Sequence, residues 1–244
     1  MNNPPPQRPI TNRLLAAIPA SEYQRLVPHL EFVSLSNKQV LYEPQQPINY
    51  VHFPHQTIVS LLSMMSDGST VEVGLVSNEG MVGLPVILAR QTTTTQATVQ
   101  VAGGAMRMEA SLLLAEFKRG GTLQSLLMRY THVLLTQFSQ TVACNRFHTI
   151  EERLARWLLT ISDRMESDQF PLPQEFIAQM LGVRRSGVAV ATDTLQQVGM
   201  LRYSHDRITI LNRSHLEASS CECYAVMKAE FERLLGTGKR LDSG

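Results

Sequence analysis

Residues 174–201 read QEFIAQMLGVRRSGVAVATDTLQQVGML. With helical spacing, Ile177, Leu181, Val188, Ala191 and Leu195 form apolar faces on two short segments, interrupted at Gly182-Val183. Ala178 lies one turn before Gly182, a small side chain where a second helix must approach, and the glycine supplies the permissive backbone of the bend. Val183 re-enters the core, the second helix begins near Arg184-Arg185-Ser186, and Gly199 stops it. The spacing predicts two helices packed at a steep angle.

The second helix turns its first residues outward, and these are two arginines and a serine. Arginine is the side chain best matched to guanine O6 and N7, and arginine and serine both bind phosphate, so this segment is a candidate major-groove reader. After it, residues 201–204 and 207–211 are short β-prone runs joined by Ser204-His205-Asp206-Arg207, a hairpin in the place of a wing.

From Glu151 to Leu211 the chain resembles the winged helix-turn-helix domain of the Crp/Fnr superfamily of bacterial transcription regulators. The residues that carry the resemblance are ERLARWLL at 152–159, FPLPQEFIAQMLGVRR at 170–185 and LQQVGMLRY at 195–203. In that family a triplet after the turn reads bases. Its arginine falls on Arg185, and two other reading positions fall on Ser186 and Val190, where the best-known members carry Glu and Arg, so no operator carries over. The candidate DNA contacts are Gln174, Arg184, Arg185, Ser186, Gly187 and Val190 on the helices, with Arg202, His205 and Arg207 on the wing.

The 244 residues favour two domains, and 43% hydrophobic content suffices for real cores. No run of 18 apolar residues occurs and MNNPPPQRP lacks the form of a secretory signal, so the expected compartment is the cytoplasm, with no membrane partner. Residues 148–244 carry 12 Lys+Arg against 13 Asp+Glu, a net −1, which is not the charge of a strongly basic nucleic-acid binder. Within residues 171–214, five arginines face three acids, a local +2.

Four parts are expected: a disordered Pro-rich arm at 1–12, a sensor roll at 13–121, a dimerisation helix at 122–146, and the winged helix-turn-helix with a C-terminal helical extension at 147–235, before a frayed tail. The roll rests on β-prone runs at 40–42, 50–53, 58–65, 70–76, 97–101 and 105–108, with Asp67-Gly68 as a hairpin turn. Such spacing implies an antiparallel, jelly-roll-like barrel and makes the fold class α+β. Residues 214–235 are expected to form one further helix.

The resemblance extends to the roll. Family members that bind cyclic nucleotides use a Gly-Glu pair and an Arg-Ser pair. Here Leu84 follows Gly83 where the Glu belongs, and threonine of the run 92–95 stands where the Arg belongs. A phosphate buried without a cationic fork keeps its desolvation cost, which argues against cyclic AMP. Gly83, Leu84, Thr94, Thr95 and Gln96 remain as candidate contacts for an unidentified small-molecule effector. No cofactor is evident: the N-terminal region has no cysteine for an iron-sulfur cluster, and the histidines are isolated. Cys221-Glu222-Cys223 is a C-x-C rather than the C-x-x-C of zinc sites, so no metal is expected and the three cysteines read as small buried apolar residues in a reducing compartment.

On the long helix, Leu127, Tyr130, Leu134, Gln137, Phe138 and Thr141 are the expected dimer contacts. The resemblance implies a two-fold dimer whose reading helices lie about one DNA turn apart, with double-stranded DNA, a second copy and RNA polymerase as partners. No nucleophile-and-base set or paired-carboxylate cleft appears, so an enzyme is not expected. The competing reading is a protein-interaction module that does not bind DNA.

Overall fold

The computed structural model describes residues 11–88 and 91–235. The first ten residues of the expected arm and the expected frayed tail lie outside the described residues. The arm's last two residues, Thr11 and Asn12, are described. Asn12 is fully buried, its Nδ2 donates to the carbonyls of Pro54 and Gly80 (2.9 Å each), and its Oδ1 caps the first helix through Leu15 N (3.0 Å).

Helices α1 (Arg13–Ala16) and α2 (Ala20–Leu26) precede seven antiparallel strands: β1 (Glu31–Leu35), β2 (Val40–Tyr42), β3 (Tyr50–Pro54), β4 (Ile58–Met64), β5 (Thr70–Val76), β6 (Thr95–Val101) and β7 (Gly103–Glu109). They form two sheets, ordered β1-β7-β3 and β2-β6-β4-β5. Phe53, Val59, Val76, Val99, Ala105 and Met108 fill one core between them. Gly68 makes the β4–β5 turn at φ +84°, as Asp67-Gly68 predicted.

Helix α3 (Ala110–Lys118) leads to α4 (Thr122–Phe147), the long helix. Gly121 has no side chain to cap it, and Glu22 of α2 accepts from Thr122 N and Leu123 N instead (3.0 Å each). Next come α5 (Ile150–Met165), β8 (Gln169–Pro171), α6 (Gln174–Leu181), α7 (Arg185–Gln197), β9 (Leu201–Ser204), β10 (Arg207–Ile210), α8 (Arg213–Ala218) and α9 (Cys223–Leu235). The wing has a third strand, β8 beside β10, that the sequence did not announce.

Two expectations are corrected. The single C-terminal helix is two, broken over residues 219–222, and α9 returns to α4 and α5, with Met227, Phe231 and Leu234 completing the roll's core. On α4, Leu127, Tyr130, Leu134 and Gln137 are buried against the protomer's own roll. Tyr130 donates its hydroxyl to Met81 O (3.1 Å), and Gln137 Oε1 accepts from Leu75 N (3.2 Å). Phe138 packs so closely over Gly74 that a Cβ there would meet its ring at 2.6 Å, and Thr141 is half-buried. The broad apolar stripe spans both sides of the helix, and its wider part faces inward. The outward side carries Met128, Leu135 and Val142 at seven-residue spacing, more than half exposed (53, 57 and 71%).

Candidate nucleic-acid interface and the domain junction

The helix pair forms as the sequence reading requires. Gly182 stands in the left-handed region (φ +62°), and Val183 N bonds to Ala178 O (3.0 Å), closing α6. Ile177, Leu181, Val188, Ala191 and Leu195 are buried in one core with Trp157, Leu158, Ile208 and Ile210. That core fixes which side of α7 is free. Arg184, Arg185, Ser186, Val190, Asp193, Thr194 and Gln197 are exposed, and Gly187 is half-buried because Ile150 lies 3.1 Å from where its Cβ would be.

Arg185 Nη2 pairs with Glu175 Oε2 of α6 at 2.7 Å, with both side chains more than 60% exposed (63 and 76%). Such a pair contributes little to stability but holds the guanidinium outward. Arg184 is the residue before α7, where its backbone is extended. Gln174 is half-buried at the start of α6. On the hairpin, His205 and Asp206 both take positive φ (+50° and +55°), and Arg202, His205 and Arg207 are exposed. The fifth arginine of the local +2 is half-buried and already paired. Arg213 pairs with Asp163 and Glu217 and donates to Tyr224 Oη.

The candidate effector residues are not gathered into one cleft. Leu84 is turned into the roll's core, and a Cβ on Gly83 (φ +102°) would lie 3.0 Å from Val51. Thr94 is exposed, the Thr93 and Thr95 hydroxyls lie 3.1 Å apart, and Gln96 Nε2 donates to Glu43 Oε2 (2.7 Å). A cavity of about 380 Å³ lies elsewhere, between the roll, α4, α5 and α9; Glu72, Gln137, Arg156, Trp157, Arg164 and Phe231 are among its lining residues.

Around that cavity the two domains are joined by buried polar contacts. Trp157 Nε1 donates to Glu72 Oε1 (3.2 Å) and Ser60 Oγ to Glu72 Oε2 (2.5 Å). Burial pushes the Glu72 carboxyl up to about 7. Arg164 pairs with Glu79 at 2.8 Å, both nearly inaccessible, and lies over the Phe231 ring (5.4 Å). Gln179 Nε2 donates to Thr70 Oγ1 (2.6 Å), and a Cβ on Gly182 would touch Val71 at 3.1 Å.

Sequence reasoning missed one constellation. Cys144 and His148 at the end of α4 meet Cys221 and Cys223 at the α8–α9 break, with all four candidate ligand atoms within 4.8 Å of one another. The thiols of Cys144 and Cys221 are 3.5 Å apart, and the Cys221 hydrogen bond holds Cys144 below the ordinary thiol range, at about 5. The signal that was available is the i, i+4 spacing of Cys144 and His148, which puts both on one helix face.

Residues 152–219 match the Crp-like helix-turn-helix domain. The whole fold is that of solved regulators. FixK2 from Bradyrhizobium japonicum superposes with a TM-score of 0.69 at 19% identity, covering 79% of this chain and 98% of its own. A putative transcriptional regulator of the crp/fnr family from Eubacterium rectale gives 0.68 at 13%, covering 84% and 96%, and a CRP-family regulator from Thermus thermophilus gives 0.64 at 16%, covering 77% and 96%. No curated protein matches the chain. The chain thus shares with these regulators the order of a roll, a long helix and a winged helix-turn-helix. It carries a Crp-like helix-turn-helix domain on a fold it shares with a solved regulator of the crp/fnr family. Among the described residues, no helix is long and apolar enough to cross a membrane.

Proposed function

We propose that the chain is a homodimeric, sequence-specific DNA-binding regulator that reads a two-fold symmetric operator through the N-terminal turn of α7. The observation that carries this reading is the outward presentation of Arg184, Arg185 and Ser186 from a buried helix pair, beside a wing bearing Arg202, His205 and Arg207. Arg185 contacts a base, Arg184 a base or phosphate, and Ser186 and the wing residues hold the backbone. Gln174, Gly187 and Val190 border the contact. RNA polymerase and the cytoplasm complete the expected setting.

Selection of genomic fragments by the purified protein tests the reading, with a palindromic motif as the expected product. Arg185→Ala is expected to cost about 1–3 kcal/mol on that site and relax discrimination at one position. Equal loss on all sequences would reassign the residue to phosphate. Weak binding without a steep salt dependence would favour the protein-interaction module instead.

The dimer forms along Met128, Leu135 and Val142, the exposed heptad seam of α4, in place of the inward residues read from sequence. Leu135→Glu is expected to convert the dimer to monomers in sedimentation at micromolar concentration and to cut operator affinity at least tenfold. A variant that stays dimeric would move the interface elsewhere.

The roll does not hold cyclic AMP in this reading. Leu84 occupies the core, and Glu43 beside Gln96 would oppose a phosphate. An effector, where one acts, enters the junction cavity between Glu72 and Arg164, whose walls belong to both domains.

A further inference from the structure

Of the chain's three cysteines, all are buried, and they form a cluster of their own, outside both hydrophobic cores. Small apolar residues that merely filled space would be distributed among aliphatic neighbours. Here the sulfurs face one another and one imidazole. Cys223 Sγ lies 3.6 Å from His148 Nδ1, and Cys144 Sγ 3.5 Å from Cys221 Sγ. Two thiolates each about 2.3 Å from one tetrahedral ion lie about 3.8 Å apart, and a thiolate and an imidazole nitrogen somewhat less. The four atoms, all within 4.8 Å, are therefore spaced for a single ion.

We propose that Cys144, His148, Cys221 and Cys223 form a structural zinc site that clamps the hinge between the long helix and the DNA-binding domain. Three thiolates and an imidazole are a ligand set zinc takes in closed four-coordinate sites, and they leave no position for substrate. The surroundings are built for it. His148 Nε2 faces Glu222 Oε2 at 3.0 Å, so a carboxylate orients the ring from the side opposite the sulfurs, the arrangement that fixes ligating histidines. Gln140 Nε2 donates to Cys223 Sγ at 3.1 Å. Three thiolates around a dication leave one negative charge, and Arg153 and Arg156 of α5 lie within electrostatic reach of Cys144.

The topology says what the ion does. His148 is the C-cap of α4 and Thr149 the N-cap of α5, so two ligands stand at the joint through which any movement of the long helix must pass. The other two are Cys221 in the break between α8 and α9 and Cys223, the first residue of α9. The ion ties the end of the long helix to the segment where α8 gives way to α9, a link that does not depend on what the domain binds.

The intact protein, purified under reducing conditions without added metal, is expected to carry about one zinc per chain by elemental mass spectrometry. After chelator treatment, titration with Co²⁺ is expected to saturate at one equivalent. It should show intense thiolate-to-cobalt absorption and the visible bands of a tetrahedral ion. Glu222→Gln keeps all four donors and is expected to weaken zinc 10- to 100-fold in competition with a chromophoric chelator. Cys223→Ser is expected to lose the three-thiolate spectrum; if it fails to fold, the wild-type cobalt spectrum and Glu222→Gln still decide. A weak six-coordinate cobalt spectrum, three freely titrating thiols with no bound metal, or a Cys144–Cys221 disulfide in the reduced preparation would each overturn the assignment.

Discussion

Arg164→Ala is expected to cost about 3–5 kcal/mol in reversible urea unfolding, because it strands Glu79 as an uncompensated carboxylate in the domain junction. Both partners of the 2.8 Å pair are nearly inaccessible, and neither Glu79 oxygen has a hydrogen-bond donor, so the attraction of Arg164 is what offsets its desolvation. The arginine also covers Phe231 of α9, and its loss opens the packing that ties α9 to the roll. The double variant Glu79→Gln, Arg164→Met removes both charges and is expected to be considerably more stable than Arg164→Ala alone. A cost below about 1 kcal/mol for the single variant would mean that water reaches the pair, as at an ordinary surface ion pair.

The second large effect is on pH. Burial raises the Glu72 carboxyl from its ordinary 4.5 to about 7, so the folded protein keeps a proton that the unfolded chain gives up. The unfolded state binds fewer protons between these values, and stability therefore falls as pH rises. It is fully present below about 4.5, drains away through about 7 and then levels off. The shift corresponds to a loss of about 3 kcal/mol. Glu72→Gln retains an amide to meet Trp157 and Ser60 and is expected to lack this component. The comparison to make is unfolding free energy for both proteins at several values between about pH 5 and 8. Parallel curves would show that Glu72 is ionised in the fold. Because the residue belongs to the contact between roll and helix-turn-helix domain, a loosened junction above about pH 7 would appear as faster hydrogen exchange along β5 and α6.

The helix pair was legible because its determinants are local. Ala178, Gly182 and the apolar positions at 177, 181, 188, 191 and 195 encode two helices and their bend within 28 residues, and the outward arginines follow from the same periodicity. The wing turn and the Asp67-Gly68 hairpin are likewise short-range. Which side of α4 faces inward was not legible, for a physical reason. Apolar residues lie on both sides of α4, and only the packed roll shows that Tyr130 and Gln137 are claimed by the backbone of residues 75 and 81 while Leu135 is left outside.

The sequence by itself determined the two-domain order, the α+β class and the arginine-bearing helix, since each is written in neighbouring residues whose spacing matches a helix or strand period. The tertiary structure alone decided which side of α4 is free, that Arg213 pairs with Asp163, and that Cys144 and His148 meet Cys221 and Cys223 across more than 70 intervening residues. Burial and metal-ligand geometry are properties of groups brought together from distant segments, and no periodicity in the chain records which segments will meet.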